Sequence, residues 1–301
     1  VSLAEFLGEE ERKSGLMIVD FSQIIISTIN ATFRPTEELS VDLIRHVALN
    51  SIRFNVLSNK AIYPDIVLAC DRGPYWRKEI APYYKAHRKD QRDESGWDWK
   101  VIFEAMNQVR EELHLIFPYR TIQIQGIEAD DIAGVLTHQL WHKYDRILLV
   151  SSDSDWAQLS KFKNVKQWSP IQKKWVEPKH GSAHLHLMEK VIKGDSKDCI
   201  ASIKSVSDHL MNFRDTRQKS IMQKELDIWL HNPVEDWATD EFTINRYYEN
   251  LKLLDLGLIP QEIQDKIMAA FNEPRPNGAK IFDYFVKHRL KEMIGRIGEF
   301  V

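Results

Sequence analysis

The 301 residues predict an α/β domain, with a mainly parallel central sheet flanked by helices, followed by a smaller all-helical domain. Three observations lead there. Apolar runs of four to six residues lack polar alternation, as strands covered on both faces do. Segments of helical period separate these runs, and strands alternating with helices build a parallel sheet with right-handed crossovers. Near residue 180 the strand signal stops, and only helical period continues to Val301.

After an acidic tail over residues 1–14, LMIVD (Leu16–Asp20) is the first strand, apolar until its closing acid. DIVLACD (Asp65–Asp71) is the second, TIQIQ the next, and RILLV (Arg146–Val150) leads into SSDSD. Between the first two strands, Val41–Leu57 places Val41, Ile44, Val47, Ala48, Ile52 and Val56 close to one helical stripe. Val101–Ile116 and Ala129–His142 have the same period, which gives an α/β domain over residues 15–180. In the second domain, residues 181–301, HGSAH reads as a turn and a helix start. Helices are expected over Ala183–Ile192, Arg217–Leu230, Glu241–Leu254, Pro260–Phe271 and Ile281–Ile294. Pro260 falls where a first-turn proline is tolerated, and Pro274, Pro276 and Gly278 mark a loop.

Composition narrows the class. Hydrophobic residues make up 43% and charged residues 28%, which excludes disordered, collagen-like and disulfide-scaffold chains. Lys and Arg total 41 against 44 Asp and Glu, net −3, so a polyanionic partner has to be held by local patches or by bound cations. Cys70 and Cys199 are too few for a disulfide framework or a Cys-based zinc site and suit a reducing cytoplasm. No apolar run approaches the ~20 residues of a membrane span. VSLAEFLGEEERK carries its charge after a short apolar patch, the reverse of a signal peptide.

The chemical signal is where the carboxylates fall. Asp20 and Asp71 close the first two strands; Glu128, Asp130 and Asp131 open the helix after TIQIQ; Asp153 and Asp155 follow RILLV. In a parallel sheet all of these reach the carboxyl-end edge, where α/β proteins place their chemistry. Crowded carboxylates repel and rise in pKa unless cations sit among them, and hard Mg²⁺ or Mn²⁺ suits an all-oxygen set. Any one of these acids alone reads better as a helix N-cap. Four acidic strand ends together favour metal. Asp195 and Asp198, in KGDSKDCIAS, form a further pair, which spacing leaves open between capping and a role beside the first domain.

Residues 75–92, YWRKEIAPYYKAHRKDQR, carry six basic residues against two acids, net +4, with four aromatics interleaved. That composition fits phosphate contact and base stacking. A charge run is more often a solvated helix face, and Pro82 prevents one regular helix here. Its position just after Asp71 turns the balance, because basic residues beside a metal site imply a polyanionic substrate, and two-metal phosphodiester hydrolysis needs both.

VDFS, the Arg77…Tyr84–Lys85…Arg88 run, EADD, SSDSDWAQL and GDSKDCIAS, in this order, resemble the 5′-nuclease family of flap endonucleases and polymerase 5′-exonuclease domains, whose sheet is PIN-like. YWRK, SGWDW, NVKQWSP and KKWV bring the likeness closest to its bacteriophage members. Five blocks in order over nearly the whole chain are specific where EADD or D-x-D alone is weak. The resemblance implies two Mg²⁺ ions, replaceable by Mn²⁺: one on Asp20, Asp71, Asp130 and Asp153, the other involving Asp155 and Asp198 with Asp195 and Glu128 nearby. It implies that Lys85 and Arg88 clamp the scissile phosphate and that Tyr84 stacks near the terminal nucleotide. Residues 75–97 would form an arch or bridge over the site. Arg77, Lys78, Lys89 and Arg92 in that segment, and Gly194, Ser202 and Lys204 around a duplex-gripping turn, are the expected nucleic-acid contacts. Cys199 departs from the Asn of many relatives and bears on the fine geometry of that turn. The implied activity is 5′-to-3′ hydrolysis of RNA–DNA hybrids, DNA duplexes and 5′ flaps, removing lagging-strand primers during phage replication in the cytoplasm of the infected host. A phage sliding clamp at the N-terminal tail and a phage single-stranded-DNA-binding protein at the helical domain are the implied partners. Ser2–Leu7 reads equally as a clamp peptide or as a first helical turn. Two rivals stand beside this reading. A haloacid-dehalogenase-like phosphatase explains the D-x-D but not Glu128–Asp131 or the basic segment, and a catalytically dead DNA-tethering module would be expected to lack some of these acids.

Overall fold

The computed structural model describes residues 14–213 and 215–301. Its core is a six-stranded sheet ordered β3-β2-β1-β4-β5-β6. The strands are β1 Leu16–Asp20, β2 Asp65–Cys70, β3 Arg120–Gln123, β4 Ile147–Val150, β5 Val165–Ser169 and β6 Lys174–Val176. The first five pair in parallel and β6 returns antiparallel to β5. The chain winds outward from β1 through β2 to β3, then restarts on the other side of β1 with β4. β1 and β4 therefore flank the point where the strand order reverses, where ligands bind in such sheets.

Alternate residues of each central strand enter different cores, which is why no polar alternation shows in their sequences. Met17, Val19, Leu68 and Val150 face helices Val41–Asn55 and Trp99–Ile116. Leu16, Ile18, Val67 and Leu149 face helix Ala129–Leu140. Helix starts follow capping chemistry: Ser40 Oγ accepts from Leu43 N at 3.3 Å and Asp98 Oδ1 from Val101 N at 3.1 Å.

The second half is helical from Ala183 onward, but it does not close a core of its own throughout. Residues 183–254 form a third core, joined by Ala81, Tyr83 and Tyr84 from the basic segment. Leu256–Phe271 packs onto one face of the sheet and Ile281–Phe300 onto the other. Near residue 180 the secondary structure changes and a separate core begins, while the last helices return to the sheet. Three expectations are corrected. Helix Arg217–Leu230 begins only at Gln223, because Gln218 Oε1, Lys219 O and Lys219 N are tied to Ser202 and Ser205 at 2.9–3.0 Å. Ile281–Ile294 breaks at Arg289, whose φ is 55°, into Ile281–Lys287 and Lys291–Ile294. The β5–β6 hairpin in NVKQWSPIQKKWV is additional to the strands expected. The Ser2–Leu7 clamp expectation lies outside the described residues.

Candidate active site

Four acids reach one edge of the sheet, each held by the element that delivers it. Asp20 ends β1; its Oδ1 caps the next helix by accepting from Gln23 N at 2.9 Å, and its Oδ2 accepts from Ser151 Oγ at 3.3 Å. Asp71 Oδ1 accepts from Ala129 N at 3.0 Å, joining the end of β2 to the start of helix Ala129–Leu140. Asp130, on that helix, accepts from the buried Trp156 Nε1 at 2.7 Å, and Asp153 Oδ1 accepts from Asp155 N at 3.0 Å. Capping and clustering are therefore both true of these acids. Among the described residues, the second oxygens of Asp71, Asp130 and Asp153 take no hydrogen bond.

The electrostatics of these acids suit a bound cation. Burial raises the Asp20 carboxyl well above its usual range, and the charges of Asp71, Asp130 and Asp153 push it further. Burial, then Asp130, raises Asp153 to about 6 against the pull of Lys190. Hard carboxylate donors that repel one another suit a divalent cation. Among the described residues no three His, Cys, Asp or Glu close around one point. The acids line a cleft, then, and not a finished cage, as suits Mg²⁺, which is usually held by one or two carboxylates and keeps several waters.

The acids implied for a second ion are instead paired with the chain's own cations. Lys190 Nζ contacts Asp155 Oδ1 and lies 2.7 Å from Asp195 Oδ2. Arg88 Nη2 is 2.9 Å and Lys85 Nζ 3.5 Å from Asp198. Glu128 is fully buried, with Lys85 on one oxygen and Arg77 Nη1 at 2.8 Å from the other. Burial nevertheless pushes Glu128 up to about 7 against both cations.

The basic segment divides into buried and open parts. Arg77, expected on nucleic acid, is 2% exposed, bound to Glu128, Asp131 and the Leu253 carbonyl, so it braces the interior. Tyr84, expected to stack on a nucleotide, is 3% exposed, its hydroxyl donating toward Glu128 at 3.1 Å and Asp198 at 3.3 Å. Lys85 has φ 54° and donates its backbone N–H to Asp198 O at 2.9 Å. Burial works against its charge, but Tyr84, Glu128 and Asp198 outweigh it and raise its pKa. Arg88, Lys89 and Arg92 lie on helix Arg88–Glu94; Lys89 is exposed, and Lys78 is half-buried. Arg88 and Arg92 line a cavity of about 700 Å³ with Asp71, Arg72 and Arg110.

Around the expected duplex-gripping turn, Gly194 adopts φ 75° and a Cβ there would lie 2.3 Å from Ile200 O. Ser202 is buried and donates to Lys219 O at 2.9 Å, and Lys204 is paired with Glu225 at 2.7 Å, so neither presents an open contact. Sequence reasoning also missed residues that shape the cleft. Lys190 carries no spacing signal toward Asp155. Arg72 sits directly after Asp71 and was legible as a cation at that strand end. Gln167 reaches across from β5 to the Ser151 and Asp153 carbonyls at 2.8 and 2.6 Å.

Residues 16–189 match the family model "5'-3' exonuclease, N-terminal resolvase-like domain", and residues 181–300 match "T4 RNase H, C terminal". The chain is 40% identical to the ribonuclease H of Enterobacteria phage T4, over 98% of this chain and 99% of the relative. It is 28% identical to the flap endonuclease of Escherichia phage T5 over 52% of this chain and 54% of that one. In fold it is similar to the T5 D15 protein crystallised with metal ions, with TM-score 0.58 and 22% identity over 85% of this chain and 97% of that one. A complex of the T5 flap endonuclease with DNA and metal ions gives TM-score 0.59 at 19% identity, covering 86% and 100%.

Proposed function

The chain belongs to the 5′-3′ exonuclease family and is a nuclease, and from that premise we propose that it is a Mg²⁺-dependent 5′-to-3′ enzyme cleaving RNA–DNA hybrids, nicked duplexes and 5′ flaps. The observation that carries this reading is the convergence of Asp20, Asp71, Asp130 and Asp153 from four elements onto one edge, beside Lys85 and Arg88. Asp20, Asp71, Asp130 and Asp153 would hold one ion; Asp155, Asp195 and Asp198 would serve a second once released from Lys190, Lys85 and Arg88. Bound divalent ions supply a low-pKa water and stabilise the leaving oxygen. Lys85 and Arg88 orient and neutralise the phosphate. The Arg88 side chain is 41% exposed and can turn from Asp198 to a substrate oxygen, whereas Lys85 is buried and preorganised.

The task is primer removal from lagging-strand fragments in an infected bacterial cytoplasm, alongside a sliding clamp and a single-stranded-DNA-binding protein. It is supported by the 40% identity to a phage ribonuclease H over 98% of the chain. The test is cleavage of a 5′-labelled nicked RNA–DNA hybrid and a 5′-flap duplex, each with Mg²⁺ and with chelator. Short 5′ products that require Mg²⁺ are expected. Intact binding with no product on either substrate would leave a tethering module.

A further inference from the structure

The most basic stretch of the chain is not the arch. Residues 161–180 hold six lysines against Glu177 alone, net +5 in a protein of net −3. All six are exposed. Lys179 pairs with Glu189 at 3.0 Å, while Lys161, Lys163, Lys166, Lys173 and Lys174 have no carboxylate partner among the described residues. In their midst Trp175 is 49% exposed on β6, the edge strand. Its ring stands edge-on to Trp168 at 5.2 Å, and Lys166 Nζ lies 5.8 Å from its centroid.

Lysine on an edge strand guards against pairing with other sheets, a role Lys174 can fill alongside phosphate contact. A large exposed aromatic on the same edge is the opposite of such protection. An exposed ring flanked by unpaired cations is what single-stranded polynucleotide uses, with phosphates on the lysines and a base on the ring. Paired bases inside a duplex offer no face to stack on.

The hairpin is also tied to the cleft. β5 runs parallel to β4, so its turn emerges at the edge that carries the acids. Ser169 Oγ lies 2.6 Å from Ser152 Oγ, and Ile171 N donates to the same oxygen at 3.3 Å. The basic arch follows β2 and the hairpin lies beyond β4, so the acids of β1 and β4 fall between two basic surfaces.

We propose that the β5–β6 hairpin is a second polynucleotide-binding surface, which takes an unpaired stretch of the substrate with Trp175 stacking on a base and Lys166, Lys173 and Lys174 on phosphates. The test is an anisotropy titration of the full chain in chelator, where cleavage is silent, with a labelled oligo-dT and a blunt duplex of equal length over a range of salt. The triple variant Lys166→Ala, Lys173→Ala, Lys174→Ala is expected to lower the salt slope on oligo-dT by about 2, from roughly 0.7 per phosphate contact. Trp175→Ala is expected to weaken oligo-dT about tenfold and spare the duplex, with Trp175→Phe retaining most of the affinity. The lysines make no ion pair, so the triple variant tests the surface even where Trp175→Ala disturbs the hairpin. Unchanged affinity and slope on oligo-dT in the triple variant overturn the proposal. Equal losses on both ligands overturn its single-strand assignment. Neither result depends on whether the protein cleaves.

Discussion

At the residue scale the cleft is defined by charge that the protein leaves uncompensated. Asp153→Asn keeps the shape and removes one ionised donor, so cleavage should be abolished while substrate binding survives, as read by product release and anisotropy on one flap substrate. Normal cutting by that variant would undo the metal assignment. Lys85→Ala removes a preorganised cation and should slow cleavage at saturating substrate on the order of 10²-fold, a rate effect rather than an affinity effect. A third expectation follows from linkage. Asp153 titrates near 6 in the fold against a usual 3.8, and Asp20 is raised too. The folded state therefore binds more protons than the unfolded chain between those values, and these groups lose stability as pH rises through that window. In chelator, Asp20→Asn should melt at a higher temperature than the parent at pH 7, and the gain should fade as pH drops toward the usual carboxylate range, where the parent's acids are protonated in both states. An unchanged melting temperature would mean that the four carboxylates do not repel as their burial implies.

Among the elements, those that position acids are the ones local pattern specifies well. β1, β2 and β4 lie where their apolar runs stand, because a strand buried on both faces needs continuous apolar sequence. The 217–222 strap was invisible for a different reason: side chains of Ser202 and Ser205, far upstream, hold it out of the helix. The Gly194 turn sets Asp198 beside Lys85 and Arg88 and Asp195 beside Lys190, and it depends on a backbone that only glycine adopts without strain. Gly194→Ala should cost about 1–3 kcal/mol from φ alone, and more from the contact with Ile200 O. Cleavage should fall with it, measured beside a thermal melt. A variant of unchanged stability would show that the turn is less tightly closed than described.

Across the whole molecule, the last helices pack back onto both faces of the sheet. Phe117 meets Tyr284, Phe285 and Phe300 at 5.4–6.1 Å, and Tyr119 donates to the Phe300 carbonyl at 2.9 Å, so the end of the chain completes the first core. Ile267 and Phe271 do the same on the other face. At about 1.5–3 kcal/mol per buried large apolar side chain, losing this cover outweighs a typical net stability of roughly 5–15 kcal/mol. A fragment ending at residue 180 should therefore lack a cooperative melt and bind hydrophobic dyes. A sharp transition close to that of the full chain would show that residues 15–180 fold as an independent domain.

What the sequence determined alone is the order of the first four strands and the acids at or just after the ends of β1, β2 and β4. Both follow from local period and from the rule that parallel strands present their carboxyl ends together. Which acids stay open and which are neutralised was decided only by the tertiary structure. Lys190 reaches Asp155, and Arg77 reaches both Glu128 and the Leu253 carbonyl. The physical reason is that ion pairing and burial depend on distance in space, and no spacing along the chain encodes a contact between residues 35, 51 or 176 positions apart.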